Sequence, residues 1–219
     1  MKPSHTNVAN ATPSGAKPSI RQANEAVILA AAERVFARAG FSGATMAEIA
    51  LEAGLPKANV HYYFGSKLEL YREVLARTLK EWLVPTDYIR PEADPREALR
   101  AYIMAKMELS ARRGDASRVF ANELLHGAPV LGDLLRTELR ALVRRKAAVI
   151  DGWIAGKQMA PVDSTHLFFT IWAATQTYAD FDVQVKAVLG ITQTSPSDER
   201  RASAHVANLL LRGCGLLEA

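Results

Sequence analysis

Thr45-Met46-Ala47-Glu48 and Ser66-Lys67-Leu68-Glu69 each set a hydroxyl residue three positions ahead of a glutamate. In that spacing the hydroxyl accepts from a free first-turn amide and the carboxylate reaches back to the capping residue's own amide, so both tetrapeptides mark helix starts. Between them there is room for only two short helices: Met46 to Ala53, a reversal at Gly54, and Lys57 to Phe64, opened by Pro56, which needs no amide partner there. Upstream, Val27, Ala31, Val35 and Ala39 with Ile28, Ala32 and Phe36 form one apolar face at helical period, and Gly40 supplies a stop. Three short helices so closely joined leave no place for a strand.

The rest of the chain keeps the helical period. Leu68, Tyr71, Leu75, Leu79 and Trp82 form the apolar line of a long fourth helix, ended by Pro85 and followed by a linker over Pro91 to Pro95. Beyond it run Leu99, Ile103, Met107; Phe120, Leu124; Leu131, Leu135, Leu139, Leu142, Val149, Trp153; Leu167 to Val188; and Val206, Leu209, Leu210. No period-two run bounded by hairpin turns interrupts them. The fold class expected is all-α. Residues 1–20, rich in Pro, Ser, Ala and Asn, bury too little apolar surface to order themselves and are expected to be a disordered arm.

Composition excludes several classes. With 49% hydrophobic residues in 219, the chain is neither collagen-like nor wholly disordered. The apolar run Leu167 to Ala179 is too short to span a bilayer and reads as a buried helix. No export segment opens the chain, and a single cysteine, Cys214, closes no internal disulfide, so the setting expected is cytoplasmic. The net charge of +4 is informative by its location. Residues 1–80 hold ten Lys and Arg against six Asp and Glu, while the remainder is balanced. A cationic first third on a neutral remainder suggests a polyanionic partner.

The stretch Thr45 to Phe64, a capped helix, a glycine turn and a second short helix, has the layout of a helix-turn-helix. In its second helix Val60 and Phe64 are four apart and face inward, which leaves Lys57, Ala58, Asn59, His61, Tyr62 and Tyr63 outside or at the edge. Such a surface suits a DNA major groove: Asn pairs with adenine through two hydrogen bonds, Lys donates to guanine, and aromatic edges meet thymine methyls and phosphates. Thr45 and Lys67 stand at helix starts, where backbone amides and a cation would hold a phosphate. Sequence choice is expected to fall to Lys57, Asn59, His61 and Tyr62.

Phe36 to Gly43, Met46-Ala47-Glu48-Ile49-Ala50, Ala53-Gly54-Leu55 and above all His61-Tyr62-Tyr63-Phe64-Gly65-Ser66-Lys67-Leu68-Glu69-Leu70 resemble the DNA-binding signature of the TetR family of bacterial regulators, over about residues 24 to 72. Pro56 departs from the family's usual serine-like cap, and the short helix lacks the arginine that often reads guanine. The resemblance implies a helix-turn-helix DNA-binding domain over residues 21–66 and a helical effector-binding and dimerisation domain over residues 67–219. It also implies double-stranded operator DNA as partner, a homodimer built on the last two long helices, about Ser164 to Leu189 and Ser197 to Leu211, and no cofactor, metal or catalytic residue. Repression relieved by a small-molecule effector is the family's usual mode.

The later part is similar to a narrower, pyrimidine-responsive group of that family, through Glu81-Trp82-Leu83, Ser117-Arg118-Val119-Phe120, Gly127-Ala128-Pro129, Gly152-Trp153-Ile154, Ala160-Pro161-Val162-Asp163 and Ile171 to Phe181. The last segment sets polar groups into an apolar helix, which demands internal partners or a ligand. Trp172 and Gln176 share a face, and a tryptophan plate beside an amide would suit uracil, thymine or a related pyrimidine catabolite. Trp82 would add a second plate and Arg118 a donor fork, with Tyr178 behind them. Plain core packing is the competing account of the same residues. Two other classes stay open. Glu123-Leu124-Leu125-His126 has the spacing of half a di-iron site, and Arg144-Arg145-Lys146 would serve a protein-binding adaptor.

Overall fold

The computed structural model describes residues 20–217, so the expected arm, apart from Ile20, lies outside the described residues. Every regular element among them is helical. Helix α1 spans Ile20–Gly43, α2 Met46–Ala53, α3 Lys57–Phe64 and α4 Lys67–Leu83. A 3-10 turn over Val84–Tyr88 leads to α5, Pro95–Arg112, and α6, Gly114–Leu125. One helical turn, α7 (Gly132–Leu134), continues through a π-turn over Leu135–Leu139 into α8, Arg140–Ala155. The chain closes with α9 (Ser164–Asp180), α10 (Asp182–Leu189) and α11 (Pro196–Gly213).

Both sequence-read capping boxes form: the Thr45 and Ser66 hydroxyls accept from the amides of Glu48 and Glu69, whose carboxylates take the capping residues' own amides. Such a cap is worth roughly 1 kcal/mol. Gly54 ends α2 in the left-handed region at φ 65°, where a side chain would be strained. Gly40 likewise takes φ 68° and ψ 173° and kinks the last residues away from α1.

Two cores result. The first gathers Ile28, Phe36, Ile49, Val60, Leu70 and Leu75 from α1 to α4 and extends to Val119 and Phe120 of α6. The second joins α5, α8, α9 and α11 through Leu99, Ile103, Ile150, Trp153, Phe168 and Leu211. Helix α4 thus lies in the first core along its length, from Leu70 to Trp82.

Several faces differ from the periodic expectation. Val27 and Ala39 are exposed, because α1 turns Leu29 rather than Val27 inward. Leu68 is exposed and Leu70 takes its place on the buried line of α4. The π-turn adds one residue to its turn, and α8 buries Val143, Ala147 and Ile150 beside the expected Trp153, while Leu142 and Val149 are only partly buried. Helix α9 is not wholly buried: Phe169 is half exposed. Nor is Ser164 to Leu189 one helix, since it breaks at Phe181.

Glu123 staples the centre of the molecule. Its buried carboxylate accepts the amides of Val130 (2.6 Å) and Leu131 (3.0 Å) and the hydroxyl of Tyr71 (3.2 Å). The two amides follow a loop in which Gly127 and Ala128 both have positive φ, 85° and 54°. One side chain of α6 therefore fixes α4, α6 and the entry to α7 together. His126 turns its Nδ1 to the Asn122 carbonyl. The di-iron reading of Glu123 and His126 is thereby replaced: the carboxylate's oxygens are already taken by backbone amides and a phenol.

Candidate nucleic-acid interface and effector cavity

The face of α3 opposite the core is open. Lys57, Ala58, His61 and Tyr62 are exposed, Tyr62 to 74%, whereas Val60 has no exposure. Asn59 lies half-buried beside them, its amide donating to Pro56 (2.9 Å) and its side chain unengaged. The His61 Nδ1 stands 2.9 Å from the Gly65 carbonyl, which can only accept, so Nδ1 carries the proton and the outward Nε2 is an acceptor in the neutral ring. Tyr63 sits at the edge: its hydroxyl accepts from Asn24 Nδ2 (3.1 Å), Arg21 lies over its ring at 5.9 Å, and Tyr62 meets it edge-on. Tyr63 is held by α1 and keeps its own O–H proton to offer outward.

Two expected phosphate contacts are differently employed. The Lys67 ammonium donates to the carbonyls of Phe41 (2.7 Å) and Ala44 (2.8 Å), reaches that of Ser42 (3.5 Å), and lies 4.6 Å over the Phe41 ring. In the free chain these donors face the end of α1, so Lys67 fastens α1 to the start of α4. The Thr45 hydroxyl donates to Glu48 Oε2 (3.0 Å) while accepting its amide, so its proton too is spent. Both residues keep the first-turn amides that follow them as the anion-binding element. Lys67→Met is expected to lower stability by about 2 kcal/mol, the scale of charge-assisted bonds, in a thermal melt. A lysine serving only as a phosphate contact would leave the melt unchanged.

At the far end of α4 the helices leave a cavity of about 140 Å³, lined by Leu79, Trp82, Lys106, Phe120, Trp172 and Gln176 among others. Trp82, Trp172 and Gln176 are thus brought together as expected. Arg118 and Tyr178 are not: both line a neighbouring cavity of about 320 Å³. Arg118 pairs with Asp115 one turn earlier on α6. Trp172 donates its indole N–H to the Tyr102 hydroxyl (2.8 Å), whose ionisation burial pushes up. The indole N–H of Trp82 is buried with no acceptor.

Lys106 was not among the expected site residues. It lies on the buried face of α5 between Ile103 and Met107, with its ammonium 4.2 Å above the Trp82 ring. Burial pushes it down to about 8, opposed by the field of Asp180. Asp180 is itself raised by burial and lowered by the Ser117 hydroxyl that donates to it, by Arg118 and by Lys106. Period alone carried the signal: a lone cation three residues after Ile103 continues that apolar stripe.

A further charged joint lies between the two cores. Arg113, at the α5–α6 junction, donates to Glu33 of α1 (2.8 Å) and Glu81 of α4 (3.1 Å). Burial raises Glu33, with Arg113 opposing. Of the basic trio on α8, Lys146 donates to the Ile89 carbonyl (3.1 Å) and faces Asp87 (3.5 Å), while Arg144 and Arg145 are exposed.

Among the described residues no helix is long and apolar enough to cross a membrane. Residues 28–74 match the model of bacterial regulatory proteins of the tetR family, and residues 75–217 that of the YcdC-like protein C-terminal region. The chain is 41% identical over 191 residues to the HTH-type transcriptional regulator RutR of Escherichia coli K12, covering 87% of this chain and 90% of that one. It is 27% identical over 165 residues to the HTH-type transcriptional regulator BetI of Paraburkholderia phytofirmans, covering 64% of this chain and 85% of that one. A tetR-family regulatory protein from Rhodococcus RHA1 superposes with a TM-score of 0.71 at 20% identity, over 89% of this chain and 98% of that one. These matches leave no ground for an enzyme. With its exposed short helix, double capping boxes and all-helical second core, the chain belongs to the TetR family of DNA-binding bacterial transcriptional regulators.

Proposed function

We propose that the chain is a homodimeric repressor of palindromic operator DNA, released by a small planar effector of the pyrimidine class and working in the cytoplasm. The division into a DNA-binding domain over residues 21–66 and an effector-binding and dimerisation domain over residues 67–219 belongs to the same proposal, the arm over residues 1–20 standing outside both. The observation that carries it is the placing of Trp82 and the α3 junction at opposite ends of α4. From Lys67 to Trp82 this helix is a rod of about 23 Å, rooted in the reading head and ending at the cavity. An effector that binds one tilt of α4 better than another shifts the population of tilts, and only by that difference.

The cavity's size supports a single ring. A space of about 150 Å³ takes a benzene molecule, and the 140 Å³ here is of that order. A dimer is supported by the apolar surface left on the last helices, where Phe169, Phe181, Val188 and Leu209 are all exposed. Val188 and Leu209 line one open apolar groove there, exposed apolar surface of the kind found at interaction sites, and a two-fold axis would set two α3 helices a turn of DNA apart or a multiple of it.

Calorimetry with uracil, thymine and their dihydro forms tests the effector, together with gel shifts on fragments selected from the source genome. Binding by at least one, with a roughly 5- to 150-fold loss of operator affinity, is the expected outcome. No heat with any of them, and no change in operator binding, ends the pyrimidine reading. Selection of no fragment at all ends the operator reading.

A further inference from the structure

The polar groups around the cavity are unbalanced. Lys106 is only 3% exposed, yet among the described residues its ammonium has no hydrogen bond and no ion pair within reach. An ammonium carries three donors and no acceptor, and a buried charge without a partner is costly. Its one close contact is the face of Trp82, which holds the charge beside the cavity without consuming an N–H. The Trp82 N–H also lacks an acceptor. Asp180, the opposing charge whose field Lys106 feels, is engaged by the Ser117 hydroxyl and shared with Arg118. Gln176 supplies the one side-chain carbonyl on the lining against two amide donors.

We propose that Lys106 is the specificity-determining residue of this cavity, and that it selects flat cyclic imides, whose edge offers carbonyl oxygens and an acidic ring N–H, over amino-substituted rings. The inference rests on the reading of the cavity as the effector site. An imide presents two acceptors flanking one donor. One acceptor answers the Lys106 ammonium, and the ring N–H answers the Gln176 carbonyl. An amino group at the same edge would turn N–H bonds towards a charge that is already unpaired. A more acidic ring N–H ionises more readily, and the anion it leaves, its charge spread over the flanking oxygens, pairs more tightly with Lys106.

The test is calorimetry on the full chain with uracil, cytosine and 5-fluorouracil, the last changing ring acidity with little change in size. The expected order is 5-fluorouracil tightest, then uracil, with cytosine at least roughly tenfold weaker than uracil, the scale of one hydrogen bond to a charged group. Lys106→Met keeps length and apolar fit, and replacing a buried charge by a hydrophobic group of similar volume is commonly tolerated. A thermal melt checks that it folds. This variant is expected to bind uracil roughly 10- to 100-fold more weakly and to lose the preference for 5-fluorouracil. Equal affinity of the wild-type chain for uracil and cytosine, or a Lys106→Met variant with the same ranking, overturns the role of Lys106 and leaves the effector site standing. Absence of heat with all three pyrimidines in the wild-type chain overturns the site itself. The wild-type ranking needs no variant, so a Lys106→Met chain that failed to fold would still leave the proposal open to refutation.

Discussion

Glu123→Ala is expected to destabilise the chain by about 3 to 5 kcal/mol, because it strands three donors at once. The amides of Val130 and Leu131 and the hydroxyl of Tyr71 all converge on this one carboxylate. Each buried donor left without a partner costs about 1 to 3 kcal/mol, and the alanine also leaves a void. In a protein of this size that is a fall of roughly 6 to 20 °C in melting temperature. Glu123→Gln retains a carbonyl for the two amides and is expected to lose far less. Differential scanning calorimetry on the three proteins checks the order; an alanine variant melting within a degree or two of the parent would show that the loop after α6 finds other partners.

Asn59→Ala is expected to weaken operator binding by a factor between roughly 30 and 10⁴ while leaving non-specific DNA binding almost untouched. One good bidentate base contact is worth about 1 to 3 kcal/mol, and a symmetric dimer makes it twice. Tyr62→Ala is expected to act in the same direction with a smaller loss, since an exposed ring contributes apolar contact and one hydroxyl. Neither side chain supports the core: the Asn59 side chain is unengaged and Tyr62 is largely exposed. The variants should therefore melt like the parent. Salt titrations of the operator complex separate this from phosphate binding, because removing a base contact leaves the slope of log affinity against log salt unchanged. A shallower slope for Asn59→Ala would assign it to the backbone instead.

Local signals were the legible part of the sequence. The two capping boxes, the Gly54 reversal and the bounds of α2, α3 and α4 follow from hydroxyl, glutamate and glycine positions within a few residues, and the structure places them there. What depends on distant partners was not legible. The carbonyl acceptors of Lys67 lie 23 to 26 residues away, so at sequence level the side chain read as free. The π-turn before α8 leaves no compositional mark, and the burial of Val143, Ala147 and Ile150 after it was not legible. For the cavity, Trp82, Trp172 and Gln176 were reachable because aromatic and amide groups in apolar helices stand out, whereas Arg118 drew attention by its chemistry and pairs with Asp115 three residues earlier. Lys106 was hidden by the opposite habit, that of reading a lysine as surface.

The bonds from Lys67 to the last carbonyls of α1 make the head and the start of the long rod a single stiff piece. On the proposed function, a signal arriving along that rod would swivel the whole head and leave the face that touches bases as it is. Between its bound and released forms, the proposed dimer would change how far apart its two grips stand and not the letters each grip reads. Operators differing only in the number of base pairs between their halves would then rank differently with and without the small molecule, whereas those differing in the halves themselves would keep one ranking throughout.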